Sequence, residues 1–164
     1  MATMKRLIAA ALVLVCLLTA VACSGDTTMT DLEAIRAKLT EKGYTAKIFE
    51  GSEPTIESEL IAEDKNANSV TIFVFKTEEG AKFYHQVMQQ QVNAAIEKNK
   101  AEEQYYSYLL EWHRDELSKS DAIQIETNVE YFRECIVANE AIVCARHGKA
   151  VVIASSKVPY DICK

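Results

Sequence analysis

The sequence has few of the residues from which catalytic and ligand-binding motifs are built. Its 164 residues include only five glycines and three histidines. No G-x-S-x-G, S-x-x-K or H-E-x-x-H motif occurs, and there is no glycine-rich loop of the kind that cradles phosphate. His85, His113 and His147 lie far apart in the chain, without a partner at metal-ligand spacing. The sequence therefore predicts neither a metal site nor a cofactor.

The other residue types with catalytic chemistry form no recognisable site either. There is no C-x-x-C pair, which argues against a thioredoxin-like redox centre. Cys144 and His147 are near neighbours, but we expect them on a tight hairpin of a buried strand, where a thiol has little access. The acidic residues are spread along the chain as on an ordinary solvated surface. An enzyme would need a site built from scattered carboxylates such as Glu102, Glu103 and Asp115.

The sequence has fewer basic than acidic residues, which restricts the kinds of molecule that the protein is expected to bind. The chain has 18 lysines and arginines against 24 acidic residues, for a formal net charge of −6. Residues 1–22, interpreted below as a signal, contain Lys5 and Arg6 and no acidic residue, so their removal changes the net charge to −8. An acidic surface repels nucleic acid and anionic lipid headgroups, and neither is an expected partner.

Only one long hydrophobic run is present, and it lies at the N-terminus. Lys5 and Arg6 precede an apolar stretch at residues 7–22 that is interrupted only by Cys16 and Thr19. A positive start followed by such a run is typical of an export signal. The run is shorter than the ~20 residues that a membrane-spanning helix needs, so an uncleaved anchor is the weaker interpretation.

The end of this run predicts the destination of the protein. Ala20-Val21-Ala22-Cys23 resembles the lipobox of bacterial lipoproteins, although Ala20 stands where that family usually has leucine. The resemblance implies cleavage before Cys23, whose thiol receives a diacylglyceryl group that anchors the protein to a bacterial membrane. The same residues satisfy the ordinary A-x-A rule, which would release an exported soluble protein. On the lipoprotein interpretation the chain divides into a signal peptide (1–22), a lipidated cysteine with a short tether (23–29) and a single domain (30–164).

The first half of this domain is predicted to be a helix followed by three strands. Thr30 and Glu33 form a capping box and Gly43 supplies a left-handed exit, so we expect a helix over residues 31–42. Alternation predicts two strands, and an unbroken β-branched and aromatic run predicts a third that is buried on both faces: 44–49, 55–62 and Ser69–Phe75. Residues 64–68 have the composition of a turn.

A long helical region follows. Thr77 is its predicted N-cap. The apolar pattern weakens at residues 97–100 and resumes at residues 101–117. This pattern predicts a break or bend near Asn99, and so either two helices or one long bent helix.

The second part of that region is unusually rich in aromatic residues. At 100° per residue, the aromatic and leucine side chains of residues 105–112 cover more than one face of a helix. Either the helix is covered on two sides within the domain, or one side is exposed for a protein or a small apolar ligand. Interfaces favour exposed tyrosine and tryptophan. The candidate partner surface consists of Tyr105, Tyr106, Leu110 and Trp112.

The last part of the chain is predicted to be β structure. Residues 123–126 are interpreted as a short strand. A three-stranded meander follows, with tight turns at Asn139-Glu140 and His147-Gly148. Its strands are 131–138, 141–146 and 149–154. The middle strand is apolar on both faces, so we expect it to be central and covered.

This meander predicts a disulfide. If the first hairpin turns at Asn139-Glu140, Cys135 and Cys144 lie opposite each other at a non-hydrogen-bonded pair, where side chains are closest. Export places the pair where a disulfide persists, and Cys163 would then be the unpaired thiol. The alternative is three reduced, buried cysteines that act as small hydrophobic residues.

These observations together predict an α+β fold, in which a mostly antiparallel β-sheet is covered by a long bent helix or a helical hairpin. The leading functional hypothesis is a lipid-anchored, non-catalytic binding or accessory domain at the outer face of a bacterial membrane. Its membrane contact would come from the lipid on Cys23 rather than from a basic surface. The alternative is a cell-envelope enzyme with a site assembled from scattered carboxylates.

Overall fold

A five-stranded antiparallel sheet with helices on both faces forms the body of the protein, which confirms the predicted α+β class. The computed structural model describes residues 27–51 and 53–164. The signal, the lipobox and Cys23 lie outside these residues. In chain order the elements are α1 (Leu32–Glu41), β1 (Thr45–Glu50), β2 (Ile56–Glu63), β3 (Ser69–Phe75), α2 (Glu78–His113), α3 (Lys119–Ala141), β4 (Val143–His147), β5 (Ala150–Ala154) and α4 (Lys157–Cys163). The strand order in the sheet is β1-β2-β3-β5-β4.

The first helix is capped one residue later than predicted. The side chain of Asp31, not that of Thr30, accepts a hydrogen bond from the backbone amide of Ala34 at 3.1 Å. A short 3-10 turn at Thr27–Thr30 precedes it, and Met29 is already buried in the core. Gly43 has a φ of 88°, which confirms the predicted left-handed exit.

The three predicted strands of the first half are present, and β3 is the middle strand of the sheet. The turn before β3 is held by Asp64, whose Oδ1 accepts the backbone amides of Asn66 at 2.8 Å and Asn68 at 2.9 Å. Both faces of β3 contribute to the core, as its sequence predicts. Val70 and Ile72 are buried on one face, and Phe75 is buried on the other.

The two faces of the sheet are covered by different helices. On one face α1 and α4 pack against the sheet, with Leu39, Leu60 and Cys163 in a single buried cluster. On the other face the start of α2 packs against it, where Ala81 joins Phe75 and its neighbours in a smaller cluster. No helix in the described part of the chain is both long enough and apolar enough to cross a bilayer.

Of the two alternatives predicted for the region around Asn99, two helices or one long bent helix, the structure contains a single helix. Helix α2 runs without interruption for 36 residues, a length of about 54 Å at 1.5 Å per residue. Its N-cap is Thr77, as predicted, because the Thr77 hydroxyl accepts a hydrogen bond from the Gly80 amide at 3.1 Å. A short 3-10 turn at Arg114–Glu116 then leads towards α3, which runs antiparallel to the second half of α2.

The strands predicted at residues 123–126 and 131–138 are wrong, because both segments belong to α3. The Ser118 hydroxyl caps this helix by accepting the Asp121 amide at 3.1 Å. Its buried or half-buried apolar residues lie three or four positions apart, as in a helix packed along one face: Ile125, Val129, Phe132 and Ile136. The β-branched and aromatic content that suggested strands is explained by packing against α2, because tertiary contacts override intrinsic propensity.

The final hairpin is real, but it differs from the prediction in position and register. β4 is an edge strand rather than a central one, and β5 lies inside the sheet. His147 pairs with Ala150, so the two-residue turn is Gly148-Lys149 rather than His147-Gly148. Gly148 has a φ of 58°, which a glycine adopts without strain. As a result Cys144 is opposite Ile153 on the neighbouring strand.

Candidate binding surface

One face of α2 is packed against the rest of the protein along its whole length. The first half of this face contacts the sheet, and the second half contacts α3. In the first half, Tyr84 packs against Phe73 and Phe75 of the sheet, with ring centroids 5.1 and 5.2 Å away. His85 Nε2 lies 3.2 Å from the Cys144 carbonyl oxygen, which ties the helix to β4. In the second half the same face packs against α3. We use the term helical arm for residues 98–141, which comprise this second half of α2, α3 and their connection.

Ion pairs along the helical arm define its antiparallel register. They join the two helices at the base, the middle and the tip: Lys100 with Glu140 at 3.4 Å, Glu103 with Arg133 at 2.9 Å, and Glu126 with Arg114 at 2.8 Å. Most of these side chains are well exposed, so each pair contributes only ~0–1 kcal/mol. The ion pairs therefore fix the register more than they stabilise the arm.

Stabilisation of the helical arm comes mainly from its apolar seam. The ring of Tyr106 stacks on that of Phe132, with centroids 5.8 Å apart and planes 13° from parallel. Leu110 and the buried Val129 continue the seam, at the floor of a groove of about 590 Å³ between the helices. Tyr106 and Leu110, both predicted as partner-facing, are thus half-buried components of the arm itself.

The other two predicted partner residues point away from the protein. Tyr105 is 56% exposed and Trp112 is 67% exposed, and Tyr108, which is 51% exposed, lies between them. Spacings of three and four residues place the three rings within an arc of about 60°. This arc is opposite the face that contacts the sheet and α3. We call Tyr105, Tyr108 and Trp112 the aromatic stripe.

The aromatic stripe answers the question that the sequence left open. The helix is covered on one side only, by the sheet and then by α3, and four large aromatic rings remain exposed on the other side: Phe83 and the three rings of the aromatic stripe. Tyr108 was missing from the predicted surface, although its spacing from Tyr105 and Trp112 would have identified it. Tyr106 and Leu110 were included because consecutive aromatic and leucine residues do not reveal which face meets a neighbouring helix.

The predicted disulfide is wrong. Cys135 is on helix α3 and Cys144 is on β4, so the hairpin that would have placed them face to face does not form. Cys135, Cys144 and Cys163 are free thiols. Burial raises the pKa of Cys144, and it raises that of Cys163 to about 11. The Cys163 thiol donates to the Pro159 carbonyl at 3.3 Å, and its side chain belongs to the core beneath α1.

The carboxylates of the enzyme hypothesis are not gathered in one cavity. Glu103 accepts hydrogen bonds from Ser107 at 3.1 Å and from Arg133 at 2.9 Å, which gives it a structural role. Glu102, Glu103 and Asp115 do not line the groove between the helices, where the acidic residues are instead Glu111, Glu126 and Glu130. Across residues 27–51 and 53–164, no three histidine, cysteine or acidic side chains come together as metal ligands would.

The most prominent surface feature of the described residues is thus the aromatic stripe on the outer face of α2. Large aromatic side chains offer contact area at a low cost in conformational entropy, and they are enriched where proteins meet. Compared with family models, with curated proteins and with solved structures, the chain matches none.

Proposed function

We propose that this protein is a lipid-anchored, non-catalytic binding domain of the bacterial cell envelope, and that the outer face of α2 is its binding surface. The observation that carries the proposal is the aromatic stripe, with all three rings more than half exposed on the uncovered side of a long helix. A monomeric soluble domain rarely exposes neighbouring large apolar groups without a use for them. The partner we propose is a protein.

The way in which α2 is held in the fold favours binding as the role of its outer face. Helix α2 is held by the sheet at one end and by α3 at the other, so its outer face is rigid before any partner arrives. A surface that is already ordered loses little conformational entropy on binding. The acidic charge of the mature chain makes nucleic acid an improbable ligand, and a small apolar ligand would need a pocket deeper than an exposed helix face provides.

The anchor is proposed from the sequence alone, from Ala20-Val21-Ala22-Cys23. Its test is the intact mass and location of the wild-type chain and of Cys23→Ser in the producing bacterium. We expect a diacylated N-terminal Cys23 in the membrane fraction, and a soluble or unprocessed Cys23→Ser variant. An unmodified mature N-terminus at Cys23 would show ordinary secretion, and a mass that includes residues 1–22 would show a retained signal.

The binding surface is tested with a photo-crosslinking amino acid placed at single positions in the full chain, in intact cells. Tyr108, in the aromatic stripe, is compared with Ile123, which is similarly exposed at 55% on α3 and serves as the matched control. We expect a discrete crosslinked product from position 108 and none from position 123. The product should disappear when Trp112→Ala is added. Equal labelling from the two positions would contradict the assignment of this face.

A further inference from the structure

The outer face of α2 extends beyond the aromatic stripe towards the sheet. Residues at alternating spacings of four and three continue the same row backwards from Tyr105: Ala101, Lys98, Ala94, Gln91 and Val87. Ala94 and Ala101 in this row are small and exposed, whereas the aromatic stripe at the other end is large and exposed. A row at a mean spacing of 3.5 residues is the pattern by which one helix packs along another. The row is therefore suited to a helix of similar length.

We propose that the occupant of this row is α2 of a second copy, packed antiparallel about a two-fold axis. The proposal rests on the proposed function, because it names the protein that binds the outer face of α2. In the register that we infer, Ala94 of one copy is opposite Tyr105 of the other, and Val87 is opposite Trp112. The two-fold axis then passes between Lys98 and Ala101, which face each other across it.

Side-chain size selects this antiparallel arrangement. It places the half of each row that lacks aromatic residues against the aromatic half of the other, so Tyr105 covers the small Ala94 in both copies. A parallel pairing in register would bring Trp112 against Trp112 at one end and leave Ala94 against Ala94 at the other. Overpacking at one end and a void at the other both destabilise an interface. Complementary sizes let the two helices stay close along the whole row.

The charges beside the row select the same arrangement. In the antiparallel register Glu97 lies beside Gln104 of the other copy, and Gln90 lies beside Glu111. In a parallel pairing Glu97 would lie beside Glu102 of the other copy, and like charges in such flanking positions oppose association. Gln91 and Lys98 are polar residues within the row, and polar residues at such positions favour one register over its alternatives. The methylene stem of Lys98 lies along the neighbouring helix while its ammonium group reaches solvent.

The approach of a second copy is sterically open. The sheet and α3 contact the same side of α2, so the body of each copy lies on the far side of its own helix. Ala94, Lys98 and Ala101 are exposed, so the middle of the row is uncovered too. The two α2 helices would form the central layers, with one sheet outside each of them.

The area of the row reaches the lower limit of a specific protein interface. An aromatic side chain buries ~150–250 Å², so three rings that are 51–67% exposed offer roughly 300 Å² per copy. The remaining positions between Val87 and Ala101, with the stem of Lys98, bring the total over both copies to the ~1,000 Å² of a specific interface. In the antiparallel dimer the three rings of each copy lie at opposite ends of the interface, and they would supply most of the binding free energy.

Pairwise cysteine crosslinking tests the arrangement in the full, membrane-anchored chain. Ala94→Cys, Tyr105→Cys and the double variant are treated with a short bis-maleimide, with the wild type as control for Cys135, Cys144 and Cys163. The two introduced thiols are about 16 Å apart along one helix, too far to be joined within a chain. We expect a covalent dimer from the double variant, or from the two single variants expressed together, and none from either single variant alone. Dimers from the single variants would overturn the antiparallel arrangement.

The mass of the protein in detergent, measured by sedimentation equilibrium, tests the dimer itself. We expect two copies for the wild type, a loss of affinity of at least tenfold for Trp112→Glu, and two copies for the control Ile123→Glu. A wild type that stays a single copy at all concentrations would overturn the inference. If position 108 then crosslinks to a different protein, the proposed binding function survives without the dimer. If it crosslinks to nothing, both fail.

Discussion

Tyr105 and Tyr106 are adjacent in sequence and opposite in environment, which makes them a matched pair for testing the helical arm. Tyr106 is half-buried and stacks on Phe132, whereas Tyr105 is 56% exposed on the aromatic stripe. Substitution by alanine removes the same atoms from the same helix at both positions. Differences in helix propensity therefore cancel, and the two variants should differ through packing alone.

The expected cost at Tyr106 follows from its contacts. Full burial of a side chain of this size contributes ~1.5–3 kcal/mol, so half-burial contributes roughly 1 kcal/mol. The stacked pair with Phe132 adds ~0.5–1.5 kcal/mol, and the cavity left beside that ring adds to this. For the dissociated single copy, we expect Tyr106→Ala to lower the free energy of unfolding by about 2–3 kcal/mol, and Tyr105→Ala to change it by less than about 0.5 kcal/mol.

Urea unfolding followed by circular dichroism measures this difference, provided that the transition is two-state and its slope is unchanged. For a domain of this size, 2–3 kcal/mol corresponds to a fall in Tm of roughly 5–10 °C. Protein concentration is varied tenfold, because self-association through Tyr105 would appear as a concentration dependence. Equal losses at the two positions, or no loss at Tyr106, would refute the inward assignment of Tyr106 and the packing of the helical arm.

Three further predictions follow from local geometry. Thr77→Ala should cost about 1 kcal/mol because it removes the acceptor for the Gly80 amide, whereas Thr77→Ser should retain most of that stability in thermal unfolding. In denaturant without reductant, alkylation and mass spectrometry should find Cys135, Cys144 and Cys163 all reactive, and a single reactive thiol would restore the disulfide. Burial raises the pKa of Cys163 from 9.0 to about 11, so the unfolded chain loses this proton first, and stability should fall as the pH rises from about 9 to 11. The Cys163→Ala variant should lose much of this alkaline dependence, which pH-dependent urea unfolding will show.

The elements that could be predicted from the sequence are those specified by local chemistry. The N-cap at Thr77, the left-handed Gly43 and the turn around Asp64 each depend on hydrogen bonds or backbone angles within a few residues. The strand Ser69–Phe75 was recognisable because its position in the middle of the sheet requires apolar residues on both faces.

Helix α3 could not be predicted in the same way, because its sequence fits two periods. Tyr131, Cys135 and Val137 are separated by even numbers of residues, as on one face of a strand. Val129, Phe132 and Ile136 are three and four residues apart, as on one face of a helix. The choice between the two depends on α2, which supplies an apolar face against which only the helical set packs. That face is more than a dozen residues away in the chain, so no local window contains it.

The candidate site was predicted in its location but not in its orientation. All four predicted residues are in the second half of α2, and two of them, Tyr105 and Trp112, are exposed. Tyr106 and Leu110 turn inward because α3 lies against their side of the helix. The disulfide failed for the same reason, since Cys135 was placed on a strand that does not exist.

The polar run at residues 97–100 shows how a change of packing partner can resemble the end of a helix. At this point α2 leaves the sheet and meets α3, and Lys100 bridges Glu97 at 3.8 Å and Glu140 at 3.4 Å. Apolar residues are not needed there, because neither neighbour covers the helix fully. The backbone hydrogen bonds nevertheless continue, and α2 remains one uninterrupted helix. Because one unbroken helix spans the sheet and the helical arm, the spacing between its exposed positions is fixed, as a register with a second helix requires.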